Sequence, residues 1–295
     1  MNWKLAGMAG TAVAVIALSG ASAVAGANKF TGNISLAVGQ TFQDDLGGAF
    51  DDSYTSISGG AKLNIAFTNN LNLQLDFAGT AGFVDQSNPG FSLDRDAGFQ
   101  AAAHGYYRTD RYAVGLFAGA GVASGPTFGV GADAEYYFAG AQGQYYWNNF
   151  TFGLEGGFLD SNSDLPGVGG DEVFLSDAWF GGAEVRWYAT PKVALTANVG
   201  YIDGEAFAGA LDVNTWHWGA KVEYKPEEKE PLTLWVAYEG RTTEAEFGVN
   251  SVDKDTHVVK IGLTFQFGVD GSQVEQDRSG PSFNTMDYGA IVVGG

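Results

Sequence analysis

The chain contains no cysteine. Disulfides are thereby excluded as a source of stability, and the fold must hold itself by burial and backbone pairing. Positive charge is also scarce. Fifteen Lys and Arg stand against 34 Asp and Glu, a formal net charge of −19, which excludes an electrostatic nucleic-acid binder. Beyond the N-terminus, no segment approaches the ~20 consecutive apolar residues that a membrane-spanning helix requires. Proline-rich linkers and repeats at solenoid periods are likewise missing.

Glycine (44 residues) and aromatics (14%) are abundant while charged residues make up only 17%, an unusual mixture for a water-soluble domain of this size. Lipid accounts for it, because small and aromatic residues suit a barrel wall whose outside meets hydrocarbon and whose rims sit among headgroups. Residues 1–27 read as a secretory signal peptide. Lys4 supplies the positive start, Leu5 to Leu18 a small apolar run interrupted by Gly7, Gly10 and Thr11, and Ala23 or Ala27 a small-residue cleavage site. The expected organisation is therefore a signal over 1–27, one all-β unit over 28–268 and a C-terminal tail over 269–295. The tail's conformation stays open at this point: hanging free, entering a lumen or pairing as extra strands.

Twelve short stretches alternate apolar and polar side chains. The clearest runs from Leu71 to Phe83, where Leu71, Leu73, Leu75 and Phe77 interleave with Asn72, Gln74 and Asp76. Before it, Ala61, Leu63, Ile65 and Phe67 interleave with Lys62 and Asn64, and Asn69-Asn70 forms the tight turn. Further strands are expected near 30–42, 97–108, 111–122, 128–147, 150–159, 174–189, 192–203, 213–225, 231–243 and 256–268. Short turns fall at Thr109-Asp110, Asn148-Asn149, Thr190-Pro191 and Pro226 to Pro231. Longer connections are expected at Asp44 to Ser53, Val84 to Asp96, Ser161 to Glu172, Gly204 to Asp212 and Thr243 to Asp255, with a shorter one at Ala123 to Thr127. Acidic residues crowd into them. An even strand number with short turns at one end and longer loops at the other predicts an up-and-down antiparallel transmembrane β-barrel of about 12 strands, its turns and both ends periplasmic.

Parity then assigns the faces. Tyr137, Tyr145 and Trp147 point outward at the ends of one strand, and Trp187, Tyr201 and Tyr224 lie near other strand ends, as aromatic girdles do. The opposite parity lines the interior with Lys62, Asp76, His104, Arg108, Arg111, Glu155, Glu184, Arg186, His217, Lys221, Glu223, Glu239, Arg241 and Lys260, and Phe117, Tyr106, Tyr188 and Trp235 narrow it. Near the turns, Arg108, Arg111, Arg186 and Lys221 share one end with Glu184 and Glu223. That grouping reads either as a charged constriction that filters solutes by sign or as an ion-pair network filling a narrow barrel. Neighbours of opposite sign, Glu184 with Arg186, Lys221 with Glu223 and Glu239 with Arg241, favour neutralisation.

Catalysis has little support. His104 is followed by Gly-Tyr-Tyr, His217 by Trp-Gly-Ala and His257 by Val-Val, none of them the His-x-Ser-Asn-Gly context of outer-membrane phospholipases. Asp44-Asp45, Asp51-Asp52 and Asp171-Glu172 offer oxygens to Ca²⁺ or Mg²⁺, but no EF-hand register appears, so no metal or cofactor is expected and the acidic loops read as solvated.

The last strand ends Lys260-Ile261-Gly262-Leu263-Thr264-Phe265-Gln266-Phe267, in which Lys260, Gly262, Phe265 and Phe267 resemble the terminal signal read by the outer-membrane assembly machinery. Most such chains stop at the aromatic residue, whereas this one continues to Gly295. Over residues 28–268 the chain resembles the small outer-membrane β-barrel (porin-family) proteins of Gram-negative bacteria. The resemblance implies an outer-membrane location, contact with lipid, lipopolysaccharide and the barrel-assembly machinery, and passive diffusion of small hydrophilic solutes. No nucleic-acid partner is expected, and no feature fixes an oligomeric state. A plugged structural or surface-binding barrel is the alternative, and a lipid-modifying enzyme is a more distant one.

Overall fold

The computed structural model describes residues 29–45, 52–68, 70–83, 97–127, 130–163, 174–228, 230–247 and 250–293. The proposed signal over 1–27, most of the expected loops at 44–53 and 161–172, and all of that at 84–96 lie outside them. Among the described residues twelve antiparallel strands close into one barrel: β1 (Lys29–Asp45), β2 (Asp52–Ala66), β3 (Leu71–Phe83), β4 (Ala97–Arg108), β5 (Tyr112–Thr127), β6 (Val130–Trp147), β7 (Phe150–Ser163), β8 (Ser176–Thr190), β9 (Val193–Ala206), β10 (Leu211–Tyr224), β11 (Leu232–Phe247) and β12 (Asn250–Phe267). Each strand pairs with its sequence neighbours, and β1 pairs with β12 from Gly32↔Phe267 to Asp45↔Lys254, which removes the last free edge. No helix among the described residues is long and apolar enough to cross a membrane.

Alternation turns directly into two faces. On β7, Leu154 and Phe158 point outward and are 68% and 75% exposed, while Thr151 and Leu159, on the opposite parity, are buried. Two aromatic rims bound the outer apolar belt. Trp147, Phe150 and Trp187 stack in sequence near the short turns, with ring centroids 6.2 and 6.3 Å apart; Trp179, Tyr201 and Trp216 form the other rim, at 5.5 and 4.8 Å. Trp179 and Trp187 lie on the same strand. The eight-residue interval at about 3.3 Å per residue, reduced by strand tilt, matches an apolar band of ~25 Å.

The strands outrun the apolar alternation at the loop end. The expected loop from Thr243 to Asp255 is instead mostly ladder, with Thr243↔Lys254, Glu244↔Asp253 and Phe247↔Asn250 in register. Gly204 to Asp212 contracts to a four-residue turn, Phe207 to Ala210, and Ala123 to Thr127 is the end of β5. The physical reason is that beyond the belt neither face of the wall meets hydrocarbon. Both faces can be polar there, the apolar period vanishes, and backbone pairing continues without it.

The tail enters the barrel. Past Phe267, Gly268 adopts φ +78°, and a Cβ there would lie 2.3 Å from the carbonyl oxygen of Phe30, so only glycine reverses the chain so close to the wall. Two short helices follow, α1 (Gln273–Ser279) and α2 (Tyr288–Val292), joined by a segment without regular structure.

Close approach also operates within the seam. Gly262 on β12 faces Trp235 on β11, and a Cβ at Gly262 would lie 2.3 Å from the indole and 2.7 Å from the backbone oxygen of Leu36. Gly262→Val is expected to cost about 1–3 kcal/mol through overpacking against backbone that cannot yield. A lowered urea midpoint of the barrel in lipid vesicles would show it.

Candidate functional site

The tail starts at the turn end and runs up one side of the interior. Ser272 caps α1, its hydroxyl accepting from the Glu275 N–H, while the Glu275 carboxylate accepts from the Ser272 N–H at 2.7 Å. This reciprocal box stiffens a helix too short to stand alone. It lies across the mouth. Its Gln273 N–H donates to Pro191 O at 2.9 Å, and Arg278 donates to Asn148 O and Phe150 O at 2.9 and 2.8 Å while stacking over Tyr146 and Tyr188. Lys225 donates to Gly271 O at 2.8 Å. Asp277 accepts from Arg186 at 2.8 Å and from the Tyr188 hydroxyl.

Beyond α1 the chain is held by inward side chains of β2, β3, β4 and β6. Arg108 donates to Gly280 O (2.7 Å), Ser282 Oγ (2.9 Å) and Ser279 O (3.1 Å). Gln144 donates to Ser282 O at 2.7 Å, and Lys62 reaches Phe283 O and Asn284 Oδ1 at 2.7 and 2.6 Å. Phe283 stacks on His104 and meets Tyr106 edge-on. Higher up, α2 sits in an apolar cluster in which Tyr288, Ile291 and Val292 pack with Phe117, Phe138, Phe180, Leu175 and Ile202.

His104 is fully buried beneath the tail. Gln142 Nε2 lies 2.8 Å from its Nδ1, which leaves Nε2 facing Thr285 Oγ1 at 3.0 Å and Asp76 at 3.5 Å. A hydroxyl and a carboxylate on the same ring nitrogen do not form a nucleophile–base–orienter relay, which needs them on opposite nitrogens. The arrangement binds the tail instead. His257 points outward, hydrogen-bonded to the Tyr238 hydroxyl at 2.9 Å, and no group of three or more metal-ligating side chains occurs among the described residues.

The opposite side of the interior stays open. A cavity of about 530 Å³ runs between the tail and the wall, bordered by Glu155, Glu184, His217, Lys221, Glu239, Arg241 and Lys260; a second, of about 130 Å³, lies towards the turn end. Ser35, Lys62, Arg186, Lys221, Glu223, Trp235 and Asn284 line both, and so mark the neck at which the two cavities adjoin. At that neck Arg186 pairs with Glu223 at 2.6 Å, Lys221 with Glu223 at 3.0 Å, and Lys221 lies over the Trp235 ring. Above it, Lys260 pairs with Glu239 at 2.7 Å. Glu155 and Glu184 sit on adjacent strands, each directly opposite a glycine, Gly182 and Gly153, and Glu184 accepts from Asn284 at 3.2 Å.

The fourteen residues expected to line a pore thus divide. Lys62, Asp76, His104, Arg108 and Arg186 bond the tail or lie against it, the eight others with inward parity border the cavities, Glu184 among them also accepting from Asn284 of the tail, and Arg111 lies exposed in the turn before β5. Sequence reading left the tail's place open, with the lumen as one of three alternatives, and did not single out Gln142, Gln144, Asp277, Arg278 and Asn284. A signal was there, since Ser272-Gln273-Val274-Glu275 has the spacing of a capping box.

No protein-family model and no curated protein matches the chain. Among solved structures, an outer membrane channel from Pseudomonas putida F1 is similar with a TM-score of 0.50 at 12% identity, covering 80% of this chain and 95% of that one. The KdgM porin (TM-score 0.46, 9% identity, 79% of this chain and 99% of that one) and the translocator domain of the autotransporter NalP from Neisseria meningitidis (0.46, 11%, 90% and 97%) are further examples. The likeness is one of fold, a closed antiparallel barrel.

Two outcomes are expected at this site. Arg186→Met leaves the Asp277 carboxylate buried without its cation and Glu223 with Lys221 alone, a loss of about 3–5 kcal/mol readable as a lower urea midpoint. The Ser272 backbone N–H, and then its hydroxyl, hold the Glu275 carboxyl below the usual glutamate range. A depressed folded value favours the capped helix above the unfolded pKa of about 4.3 and loses that contribution as pH falls through the folded value. NMR titration of α1 amides should show the helix loosening at that acidic end, and E275Q should abolish the pH dependence.

Proposed function

We propose that the chain is an outer-membrane channel that lets small hydrophilic solutes diffuse passively along the lane between its tail and the wall, with the turn end towards the periplasm. The observation that carries this reading is the contrast between faces. The exterior is an apolar belt between two aromatic rims, where polar groups would be costly, while the interior holds two cavities bordered by charged side chains that adjoin at Arg186, Lys221 and Glu223. Twelve strands fall between barrels whose interior is filled by side chains and those wide enough for a water channel. With the tail inside, the free cross-section suits small solutes rather than general diffusion.

Charge sets the selectivity in this reading. Arg186 and Lys221 are engaged by Glu223 and Asp277, and Lys62 by Asp76 and the tail, whereas Glu155 and Glu184 face the lane and, among the described residues, Asn284 donates to Glu184. Where these two carboxylates are ionised, cations are the favoured solutes. The filling of one side of the lumen by the tail specifically supports the second reading, a plugged structural or binding barrel.

Planar-bilayer recording of the full chain separates the two. Discrete current steps that persist across salts are expected of a channel, and their absence would favour the plugged barrel. E155Q combined with E184Q should move the reversal potential in a salt gradient towards anions; an unmoved potential would remove both residues from the filter.

A further inference from the structure

We infer that the inner face of β3, β4 and β6, flanked by Lys62 and Arg186, is a binding groove for a short peptide. Its occupant here is the chain's own C-terminal segment, and departure of that segment widens the lane. The conductance part of this inference rests on the channel reading above; the groove itself does not.

The groove reads backbone. Gln74 accepts from the Phe283 N–H at 3.2 Å and donates to Phe283 O at 2.8 Å, the two bonds that a neighbouring strand would supply. Gln100 repeats this further up, donating to Met286 O at 2.7 Å and accepting from the Tyr288 N–H at 3.2 Å. Side chains of the wall thus stand in for a ladder that a peptide inside a closed barrel cannot make with strands already paired on both sides. Two aromatic pockets add register: His104 with Tyr106 for Phe283, and Phe138 with Phe180 for Tyr288, whose ring centroid lies 4.4 and 5.0 Å from theirs. The stretch from Pro281 to Asp287, between α1 and α2, covers about 3.3 Å per residue when extended, close to the ~25 Å of an apolar band. The ligand class is accordingly a short peptide without regular structure that leads into a helical turn, with aromatic residues five positions apart.

The same seat is incompletely satisfied. Of nine buried side-chain polar atoms without a partner among the described residues, five are on the tail: both amide atoms of Gln273, Gln276 Oε1, Arg278 Nε and Tyr288 Oη. None of them gains a protein partner in the seat, so the contacts holding the tail are fewer than its polar groups could make. The entry is also built to turn, because Gly268 and Gly271 hold φ +78° and +124° at the point where the tail leaves the wall. With no cysteine in the chain, nothing covalent fastens the segment beyond that point.

The full chain offers the test. In one variant A123C and G289C are combined, where a Cβ at Gly289 would lie 3.2 Å from that of Ala123, near the separation of about 3.5–4.5 Å in a disulfide, with the Tyr136 hydroxyl giving way. In a second, R108A and Q74A together loosen the groove, with T285C added as a reporter for a water-soluble maleimide. Loosening should produce excursions to a state carrying about threefold more current or greater, since an emptied twelve-stranded lumen approaches a water-filled one. Reporter labelling should accelerate roughly tenfold or more once the charged clasp is lost. With the paired cysteines built into the loosened protein in place of the reporter, oxidation should suppress the wide state and reduction restore it within the same sample, which controls for damage to folding. A synthetic peptide of residues 280–293 added to the loosened protein should return the narrow state, and a scrambled peptide should not.

Identical labelling in loosened and reporter-only protein, or a wide state indifferent to oxidation, would overturn the inference. Absence of current from every variant, with labelling still accelerated and blocked by the peptide, would instead refute the channel reading and leave the groove standing.

Discussion

Backbone hydrogen bonding between β1 and β12 is the constraint on which the rest of the structure depends. Hydrocarbon offers no partner to an unpaired N–H or C=O, so a sheet placed there is viable only when its first and last strands meet. Here they meet along a continuous antiparallel register from Gly32↔Phe267 to Asp45↔Lys254. Closure turns alternation into inside and outside, and so fixes which side chains meet the lipid band and which meet one another across the interior. It also obliges any further chain after Phe267 either to leave the wall or to turn into it. Gly268 turns it inwards.

The interior is consequently asymmetric, although the wall is not. On one side Lys62, Asp76, Gln74, Gln100, His104 and Arg108 are committed to the tail; on the other Glu155, Glu239 and Lys260 border open space. Arg186 belongs to both, pairing with Glu223 of the wall and Asp277 of the tail. A charge list taken from parity alone mixes these populations. Arg108 illustrates the difference: as an inward cation near the mouth it reads as a filter residue, yet its guanidinium is occupied by Gly280, Ser279 and Ser282.

Strand number, register order and facing were legible because each strand meets oil on one side, and oil imposes a two-residue period. Leu71 to Phe83 and Ala97 to Arg108 agree with the structure to the residue for that reason. Legibility failed where that pressure ends. From Thr243 to Asp255 both faces of the ladder are polar, and the pattern of acidic and hydroxyl residues resembles a loop although the backbone stays paired. The tail was illegible for a related reason. It is recognised through its main chain by Gln74 and Gln100, so its own sequence needs no strong periodicity, and its two aromatic anchors at Phe283 and Tyr288 are too few to declare a partner.

Attachment of the tail at Gly268, beside the mouth where the short turns lie, gives the plug a handedness of motion. A segment tethered at one opening can be withdrawn only through that opening while the cylinder remains intact. Pressure from the far end would work with its tether, and traffic from the near end would drive α2 deeper into its apolar seat. If the channel and groove proposals hold, a stopper fixed in this way would work as a one-way flap, and the two directions of passage would not be equivalent.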